Sequence, residues 1–495
     1  MLFNSFPFIF AFLPITLLGY ELLRRYGPPR STHVWLIGAS CVFYAYWNAA
    51  FLGLLFASIV VNFVVGRRLQ RLAAGGAPSR TLLSVGLVWN LALLGYFKYA
   101  NFFIDNLDAI FGTRIELAHV ILPLGISFFT FQKIAFLVDS YKNEVERHEF
   151  VDFCLFVMFF PQLIAGPIVH FGEVIPQFAR TSTPPAENRY TVGITLFAVG
   201  LAKKVLIADT LAVQASAMFD GAAAGHVPTL SDAWLGGLCY TLQIYFDFSG
   251  YSDMAIGLGW MFGIRLPINF TSPYKAQSIA EYWQRWHITL SRFLRDYVYI
   301  PLGGNRCSPA RQRANLFATM LLGGIWHGAG WTYVLWGSMH GAMLVVHRIW
   351  EQSVFGKRHA LHPVLARGAT FVAVLVAFVA FRAADLTTMV HVYRGLFGFN
   401  GIASPGHPAV LDEPLSAACL GLLGTIGVFA LPNAYEWLGS ASPSLASPGY
   451  PNTKPIPTQR HPWLPDSLHA LAFALLLFVC FLKLNDVSPF IYFQF

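Results

Sequence analysis

Apolar stretches recur along almost the whole chain and alternate with short polar segments. After the first apolar run they lie at 34–65, 81–97, 118–138, 150–169, 190–208, 233–247, 252–264, 315–326, 331–349, 368–381, 416–432 and 468–484. A helix needs about 20 apolar residues to cross a bilayer, so the pattern predicts about 11 to 12 transmembrane helices. Several stretches are shorter, and broken segments at membrane depth are tolerated only when they are buried in protein or line a cavity. The pattern therefore predicts an all-α polytopic membrane protein in which re-entrant or interfacial helices surround a buried site.

The first apolar run is followed by positive charge, from the arginines at 24–30. A signal peptide carries its positive charge before the apolar run, so we expect an uncleaved first span with its N-terminus outside. The stretch 34–65 is too long for one crossing and predicts a hairpin that turns near Trp47 and Asn48. This turn puts the arginines at 67–80 on the same side as the first cluster. The positive-inside rule makes that side cytoplasmic.

Composition narrows the class of protein. Hydrophobic residues make up 56% of the 495 residues and charged residues only 12%, whereas an average soluble domain carries about 25% charged residues. A soluble enzyme and a disordered scaffold are therefore excluded. The net charge of +8 comes from short basic clusters between apolar runs, a pattern typical of cytoplasmic loops and not of nucleic-acid binding. The six cysteines are scattered without a CxxC pair, so we expect neither a disulfide framework nor a metal site.

The segment 266–341 is the most informative part of the chain. Between 283 and 299, apolar and aromatic residues recur at helical spacing with arginines between them. This pattern predicts one amphipathic helix at the membrane interface. Arginine binds phosphate through two parallel hydrogen bonds, so these arginines are candidates for holding a donor such as coenzyme A. A cytoplasmic anchor that obeys the positive-inside rule explains them equally well. The candidate donor-binding residues are Arg285, Arg292, Arg295 and Arg306.

Three histidines of this segment are candidates for chemistry. His327 lies in the apolar sequence GGIWHG, and an ionisable side chain inside a membrane is costly enough to suggest a function. Burial there favours the neutral imidazole that a general base requires. The structural alternative is a packing histidine beside the GxxxG contact at 324–328. His287 lies at the edge of the predicted amphipathic helix, and we expect His340 to support the site or the fold.

Charged residues in two other segments are harder to assign. Asp247 and Asp253 lie in an apolar context, where they either fix arginines or histidines of the site or cap a broken helix. We expect Lys203, Lys204 and Asp209 at the membrane interface. The chain contains no G-x-S-x-G elbow and no HExxH motif, so the sequence predicts neither a hydrolase nucleophile nor a zinc site.

Two short motifs carry a family resemblance. The stretch 283–304 reads WQRWHITLSRFLRDYVYIPLGG, and a WHG tripeptide places His327 40 residues after His287. This combination resembles the membrane-bound O-acyltransferase family, in which a histidine or asparagine of the first motif and a histidine of the second flank a tunnel through the membrane. The resemblance implies that His327 is the general base, that His287 assists it, and that a central tunnel runs through the predicted helices. We expect five further residues along or behind that tunnel: Trp326, Trp286, Asp247, Asp253 and His340.

Further segments are similar to one subgroup of that family, the bacterial membrane proteins that O-acetylate alginate and other cell-surface glycans. They include 122–132 (LPLGISFFTFQ), 160–167 (FPQLIAGP), 200–209 (GLAKKVLIAD), 246–253 (FDFSGYSD) and 490–495 (FIYFQF). The subgroup implies a protein of the bacterial inner membrane that moves acetyl from cytoplasmic acetyl-CoA, a substrate and not a bound cofactor, toward an extracytoplasmic polysaccharide. Because the chain shows no triad of its own, the resemblance also implies an extracytoplasmic partner with a Ser/His/Asp-type site.

The predicted organisation is one membrane-embedded acyltransferase domain over 1–495, with its catalytic motifs in 266–341. The segment 439–467 contains seven prolines and predicts a loop away from the chemistry. Two other functions stay open. A transporter or channel for an anionic glycan or acyl carrier would use the same arginines and broken helices, and is the main alternative. A scaffold for envelope glycan synthesis would need no chemistry, and the intramembrane histidine argues against it.

Overall fold

The protein is built from α-helices. The computed structural model describes residues 1–115, 120–179, 188–358, 361–402, 411, 413–438, 444–445, 450, 466–484 and 490–491. Within these ranges the chain forms 21 α-helices, and its extended pairing is an isolated bridge between Pro267 and Leu445. The predicted all-α class is confirmed.

The helices have the following bounds. The first ten are α1 (Leu13–Tyr26), α2 (Ser31–Asn48), α3 (Ala50–Ala74), α4 (Arg80–Phe111), α5 (Ile126–Tyr141), α6 (Phe150–Met158), α7 (Phe160–Leu163), α8 (Phe171–Ala179), α9 (Arg189–Ala202) and α10 (Asp209–Ala223). The others are α11 (Leu230–Met261), α12 (Ile279–Trp283), α13 (Ile288–Leu294), α14 (Pro309–His327), α15 (Trp331–Gln352), α16 (Val354–Arg358), α17 (Pro363–Arg382), α18 (Leu386–Leu396), α19 (Pro414–Ala430), α20 (Ala434–Trp437) and α21 (Ser467–Leu482). Shorter turns are the π-helical Phe8–Phe12, Lys203–Ala208 and Arg295–Tyr299 and the 3-10 turn Pro273–Lys275.

Four helical segments of the described chain are long and apolar enough to cross a membrane. They are Ala50–Ala74, Arg80–Phe111, Arg189–Ala223 and Pro363–Arg382. Two shorter helices, α19 and α21, are also apolar. The chain is therefore a multi-pass membrane protein, while the total of about 11 to 12 crossings stays a prediction. Most of the proline-rich segment 439–467 lies outside the described residues.

The predicted N-terminal hairpin is present. The second helix, α2, ends at Asn48 and α3 begins at Ala50. Arg30 before α2 pairs with Glu149, and Gln70 near the end of α3 donates to the Val145 carbonyl, so the far ends of both helices meet one segment and the chain reverses around Ala49. Helix α3 carries Arg67, Arg68 and Arg71 in its last turns, and Arg80 is the first residue of α4. The length of the apolar run was enough to predict this element.

The two short stretches 233–247 and 252–264 are not separate segments, and that prediction is wrong. They form one helix, α11, whose 32 residues run from Leu230 to Met261. Thr229 caps its N-terminus, since its side-chain oxygen accepts a hydrogen bond from the Asp232 backbone N–H. The small polar residues between the two stretches do not break the helix because their environment is protein, not lipid: they are buried. Asp247 and Asp253 therefore do not cap a broken helix.

The single amphipathic helix predicted over 283–299 is also wrong. Helix α12 ends at Trp283, α13 begins at Ile288, and a π-helical turn follows. The interruption is at His287, whose φ of 42° and ψ of 52° place it in the left-handed region. A left-handed residue cannot continue a right-handed helix. The break turns the histidine into the protein interior.

Glycines allow close crossings at the centre of the fold. Helix α14 packs on α15 where Gly324 faces Gly337; a Cβ on Gly324 would lie 2.8 Å from the Gly337 Cα. Helix α9 packs on α11 where Gly200 faces Gly250; a Cβ on Gly250 would lie 2.7 Å from the Gly200 carbonyl oxygen. Such approach is possible only without side chains and is typical of membrane helix pairs. The first crossing carries His327, and the second carries the buried lysines.

Candidate active site

His327 is enclosed by aromatic rings. It is the last residue of α14, and 4% of its surface is exposed. Its ring centre lies 4.8 Å from that of Trp326, 5.0 Å from that of Trp336 and 5.2 Å from that of Phe381. These partners come from α14, α15 and α17. The apolar setting excludes bulk water and suits a neutral imidazole.

His287 lies beside His327. Their ring centres are 6.5 Å apart, and His287 is fully buried. Its ring stands edge-on to Phe248 at 4.8 Å and lies 6.4 Å from the Trp326 ring. The structure thus brings the two motif histidines together, although they are 40 residues apart in the chain. The continuous tunnel between the two membrane faces stays a prediction.

Asn269 orients the His287 ring. Its side-chain oxygen Oδ1 accepts hydrogen bonds from the Thr289 hydroxyl at 3.0 Å and the Thr289 backbone N–H at 3.3 Å, and its Nδ2 donates to Ser252 Oγ. The same oxygen lies 3.1 Å from His287 Nδ1. An oxygen that already accepts from two donors requires Nδ1 to donate as well. The network therefore assigns the proton to Nδ1 and a lone pair to Nε2 of His287.

His340 lies behind this pair. Trp283 Nε1 donates a hydrogen bond of 3.3 Å to His340 Nδ1, and the Trp336 ring is 4.7 Å from the His340 ring. Trp336 thus separates His340 from His327. Within the described residues, Trp336 Nε1, Trp326 Nε1 and His340 Nε2 are buried polar atoms without a hydrogen-bond partner. We call His287, His327 and His340 the histidine cluster.

Trp286 directly precedes His287 in the chain, and its ring packs among other aromatic rings. Its ring stacks on Tyr282 at 5.6 Å and lies edge-on to Phe270 at 5.1 Å. The Phe270 ring centre in turn lies 6.5 Å from that of His287. In the part of the chain that the structure describes, no group of three or more His, Cys, Asp or Glu residues could hold a metal ion.

The four candidate donor-binding arginines have different surroundings. Arg292 is buried and forms two hydrogen bonds with Glu173, of 2.7 and 2.9 Å. Burial alone would raise the pKa of Glu173, but the Arg292 charge and hydrogen bonds hold that pKa below its ordinary value. Arg285 pairs with Glu281, one helical turn earlier, and Arg295 pairs with Asp296, whereas Arg306 is exposed. Arg306 is therefore the most accessible of the four.

Asp247 and Asp253 of α11 pair with lysines, not with arginines or histidines. Asp247 lies 2.6 Å from Lys204, and Lys204 also lies 2.8 Å from Asp209. Asp253 lies 2.6 Å from Lys203. Both earlier alternatives for the aspartates are thus wrong.

Lys204 is enclosed by protein, with 1% of its surface exposed, while the interface position expected for Lys203, Lys204 and Asp209 stays a prediction. The α9–α11 crossing brings the charges together in a low-dielectric interior, where opposite charges attract strongly. Two neutral groups complete the network: the Tyr435 hydroxyl donates to Asp253, and the Ile491 backbone N–H donates to Asp247. We call Lys203, Lys204, Asp209, Asp247 and Asp253 the lysine cluster.

Sequence reasoning missed three residues next to the histidines. Asn269 holds the His287 ring, and Lys98 and Tyr99 of α4 donate hydrogen bonds to the end of α14. The signal for Lys98 was present, because a lone lysine in an apolar helix marks a functional position by default. Asn269 lies in a loop whose burial could not be read from the sequence.

Known proteins are similar to this chain over most of its length. Residues 74–384 match the model of the membrane-bound O-acyltransferase family. The peptidoglycan O-acetyltransferase of Helicobacter pylori is 44% identical over 430 residues, which cover 81% of either chain. The probable alginate O-acetylase AlgI of Pseudomonas putida is 41% identical over 511 aligned positions and covers both chains completely. The teichoic acid D-alanyltransferase of Bacillus subtilis is 28% identical over 271 residues, 52% of this chain and 65% of its own.

Proposed function

The chain belongs to the membrane-bound O-acyltransferase family and is an acyltransferase, and from this premise we propose that it O-acetylates an extracytoplasmic polysaccharide. Relatives that align over 81% or all of the chain are named for acetylation of two different glycans, peptidoglycan and alginate. The acetyl donor in this proposal is acetyl-CoA on the cytoplasmic side of the bacterial inner membrane. An alginate-like or other envelope glycan, reached through an extracytoplasmic partner with a Ser/His/Asp-type site, is the acceptor.

The observation that carries the proposal is the pairing of His287 and His327. Two imidazoles from separate helical elements have ring centres 6.5 Å apart inside an aromatic enclosure. That separation leaves both rings in reach of one reacting centre, and proton transfer requires a base within hydrogen-bond distance of the hydroxyl. A purely structural contact would not require two ionisable histidines to be buried in an apolar interior, which costs free energy.

In the proposed reaction His327 is the general base. The acceptor hydroxyl oxygen attacks the thioester carbonyl carbon while His327 takes the hydroxyl proton. The tetrahedral intermediate then expels the coenzyme A sulfur, which takes that proton, and an ester and a free thiol result. His287 assists through Nε2, since Asn269 occupies its Nδ1 proton. The buried indole N–H groups of Trp326 and Trp336 lie beside His327 and are candidate donors to the developing oxyanion.

The proposed donor route begins at the cytoplasmic side. In this proposal the phosphates of coenzyme A are bound by the guanidinium groups of Arg285, Arg295 and Arg306. Arg306 makes the first contact because it is exposed. Arg292 contributes to donor binding in one of two ways. It fixes the surrounding segment through its ion pair with Glu173, or it releases Glu173 and binds a phosphate in its place. The two substrates meet at the histidines, where a tunnel from either face would end.

The test is His327→Ala in purified protein supplied with acetyl-CoA. We expect the rate of acetyl transfer to fall by about 10²–10⁴-fold, the usual contribution of a positioned general base. Binding of acetyl-CoA and the melting temperature should stay near the wild-type values. The matched control is His226→Ala, which removes an exposed histidine from a loop and should leave the rate unchanged. A wild-type rate in His327→Ala would reject His327 as the base.

A further inference from the structure

Lys98 is a charged residue inside an apolar helix. It lies on α4, one of the four helices that could cross a membrane, and it is half-buried. Its ammonium Nζ donates hydrogen bonds to the backbone carbonyls of Trp326, at 2.6 Å, and His327, at 2.9 Å. The Trp326 ring lies 5.7 Å away, within reach of a cation–π contact. An ammonium inside a membrane-spanning helix costs free energy, and such a residue indicates a functional role.

The next residue of α4 extends the same contact. The Tyr99 hydroxyl donates a hydrogen bond of 2.6 Å to the carbonyl of Ile325. Three successive carbonyls at the end of α14, those of Ile325, Trp326 and His327, are therefore bound by two adjacent residues of α4. The last carbonyls of a helix have no partner within the helix and carry its negative partial charge, so a cation placed there is stabilising.

The end of α14 depends on this contact for its position. After His327 the chain continues through Gly328 in an extended conformation with φ of −160°, and α15 begins three residues later. Because Gly328 has no side chain, it makes no side-chain contact that could fix the last turn of α14. The His327 imidazole is attached to a residue whose own carbonyl is held by Lys98, so movement of this carbonyl moves the ring.

We propose that Lys98, together with Tyr99, is a positioning residue that holds the His327 imidazole at the reacting centre by fixing the last turn of α14. The proposal rests on the proposed function, in which His327 is the base. It goes beyond it by assigning a catalytic contribution to a helix that carries neither motif. Its alternative is that Lys98 only strengthens the packing of α4 on α14.

A second buried lysine distinguishes these two roles. Lys133 on α5 is fully buried, donates a hydrogen bond of 2.6 Å to Ser58 Oγ and lies 4.1 Å from the Phe129 ring centre. Those partners belong to α3 and α5, not to α14. Lys133→Met therefore removes a second hydrogen-bonded lysine, one even more deeply buried than Lys98, from the same helix bundle without touching the end of α14.

The experiment compares Lys98→Met with Lys133→Met in purified protein. We expect kcat for acetyl transfer to fall by about 10²-fold in Lys98→Met, the effect of a displacement of about 1 Å at a reacting group, with KM for acetyl-CoA unchanged. Lys133→Met should keep the wild-type kcat per folded molecule. Lys98→Arg should recover part of the loss because a guanidinium also donates to carbonyls. Tyr99→Phe should lower kcat less than Lys98→Met, because it removes one neutral hydrogen bond.

A second readout needs no acetyl transfer. Diethyl pyrocarbonate modifies accessible imidazoles, and mass spectrometry gives the rate at each histidine. We expect faster modification of His327 in Lys98→Met than in wild type or Lys133→Met, because the end of α14 is released. Where Lys98→Met does not fold, the same measurement on Tyr99→Phe and Lys98→Arg decides.

Three results would overturn the proposal: a wild-type kcat in folded Lys98→Met, an equal loss of kcat in Lys133→Met, or unchanged modification of His327 in every Lys98 and Tyr99 variant that folds. Failure of the proposed function looks different. In that case His327→Ala transfers acetyl at the wild-type rate, whatever the modification rates are.

Discussion

The histidine cluster and the lysine cluster both place polar side chains inside an apolar protein, but their partners differ in kind. In the lysine cluster, ammonium and carboxylate groups lie 2.6 to 2.8 Å apart, so charges are matched by charges. In the histidine cluster, aromatic rings surround the imidazoles, and the hydrogen bonds run to neutral groups such as Asn269 and Trp283. Matched charges hold helices together, whereas neutral imidazoles among rings keep their capacity to exchange a proton.

Both clusters lie at the same kind of helix crossing. Each lies at a helix crossing where glycines face each other: Gly324 and Gly337 for the histidines, Gly200 and Gly250 for the lysines. The backbone geometry is thus similar and the side chains set the role. We infer that damage to the lysine cluster acts on stability, and that damage to the histidine cluster acts mainly on catalysis.

The largest effect on stability is expected from Asp247→Leu. This change leaves the buried Lys204 with Asp209 as its remaining carboxylate. Removing one partner of a buried ion pair destabilises a protein by about 3–5 kcal/mol, so the melting temperature in detergent should fall steeply. The transfer rate per folded molecule should fall far less than in His327→Ala.

The control for this prediction is the triple variant Lys204→Met/Asp209→Leu/Asp247→Leu, which removes the lysine together with both of the carboxylates it pairs with. Apolar residues of similar size often replace a buried ion pair without loss, so most of the stability should return. A rate loss in Asp247→Leu as large as that of His327→Ala, in protein that remains folded, would erase the distinction between the clusters.

An intermediate effect is expected from adding one methyl group at each crossing. In Gly324→Ala the new Cβ would meet the Tyr333 carbonyl and lie 2.8 Å from the Gly337 Cα, and in Gly250→Ala it would lie 2.7 Å from the Gly200 carbonyl. Overpacking of this kind costs about 1–3 kcal/mol, so both melting temperatures should fall by similar amounts. Only Gly324→Ala should also lower kcat, since α14 carries His327. Equal kcat values in the two variants would contradict the comparison.

The smallest effect is expected outside both clusters, at the start of α18. Asp385 Oδ1 accepts a hydrogen bond of 2.7 Å from the Thr388 backbone N–H, and this bond lowers the pKa of Asp385. A lowered pKa in the folded state means that the cap stabilises the protein above the ordinary aspartate value, near 3.9, and loses that effect as pH falls through the folded-state pKa. Asp385→Ala should cost about 1 kcal/mol at neutral pH without changing transfer.

Asp385→Asn is the matched variant for the last prediction. Asparagine caps helices as well as aspartate does but does not titrate. Its melting temperature should match the wild type at neutral pH and exceed it in acid. If the wild type and Asp385→Asn lose stability in parallel as the pH falls, Asp385 is not the titrating group.

Local patterns in the sequence were sufficient to predict the fold class, the N-terminal hairpin and the two motif histidines. Hydropathy predicted a polytopic helical protein, and the length of the run 34–65 predicted the hairpin that the structure has around Ala49. The spacing of two motifs singled out His287 and His327 before their proximity was known. These features depend on stretches of neighbouring residues, so periodicity and composition report them.

Helix continuity was harder to predict. The hydropathy pattern divided α11 into the stretches 233–247 and 252–264, whereas the helix is continuous and buried, and lysines that follow α9 pair with Asp247 and Asp253. The pattern also joined 283–299 into one helix, whereas the left-handed conformation of His287 breaks it. In both places a partner distant in the chain outweighed the local pattern.

The sequence by itself determined the class of the molecule, its membrane setting and the two histidines, because apolar runs and short motifs are local properties. The tertiary structure alone decided which charges meet, which ring nitrogen of His287 carries its proton and that Lys98 holds the end of α14, 229 residues away. Hydrogen bonds and ion pairs act over about 3 Å, and only the crossing of helices brings such distant residues within that range.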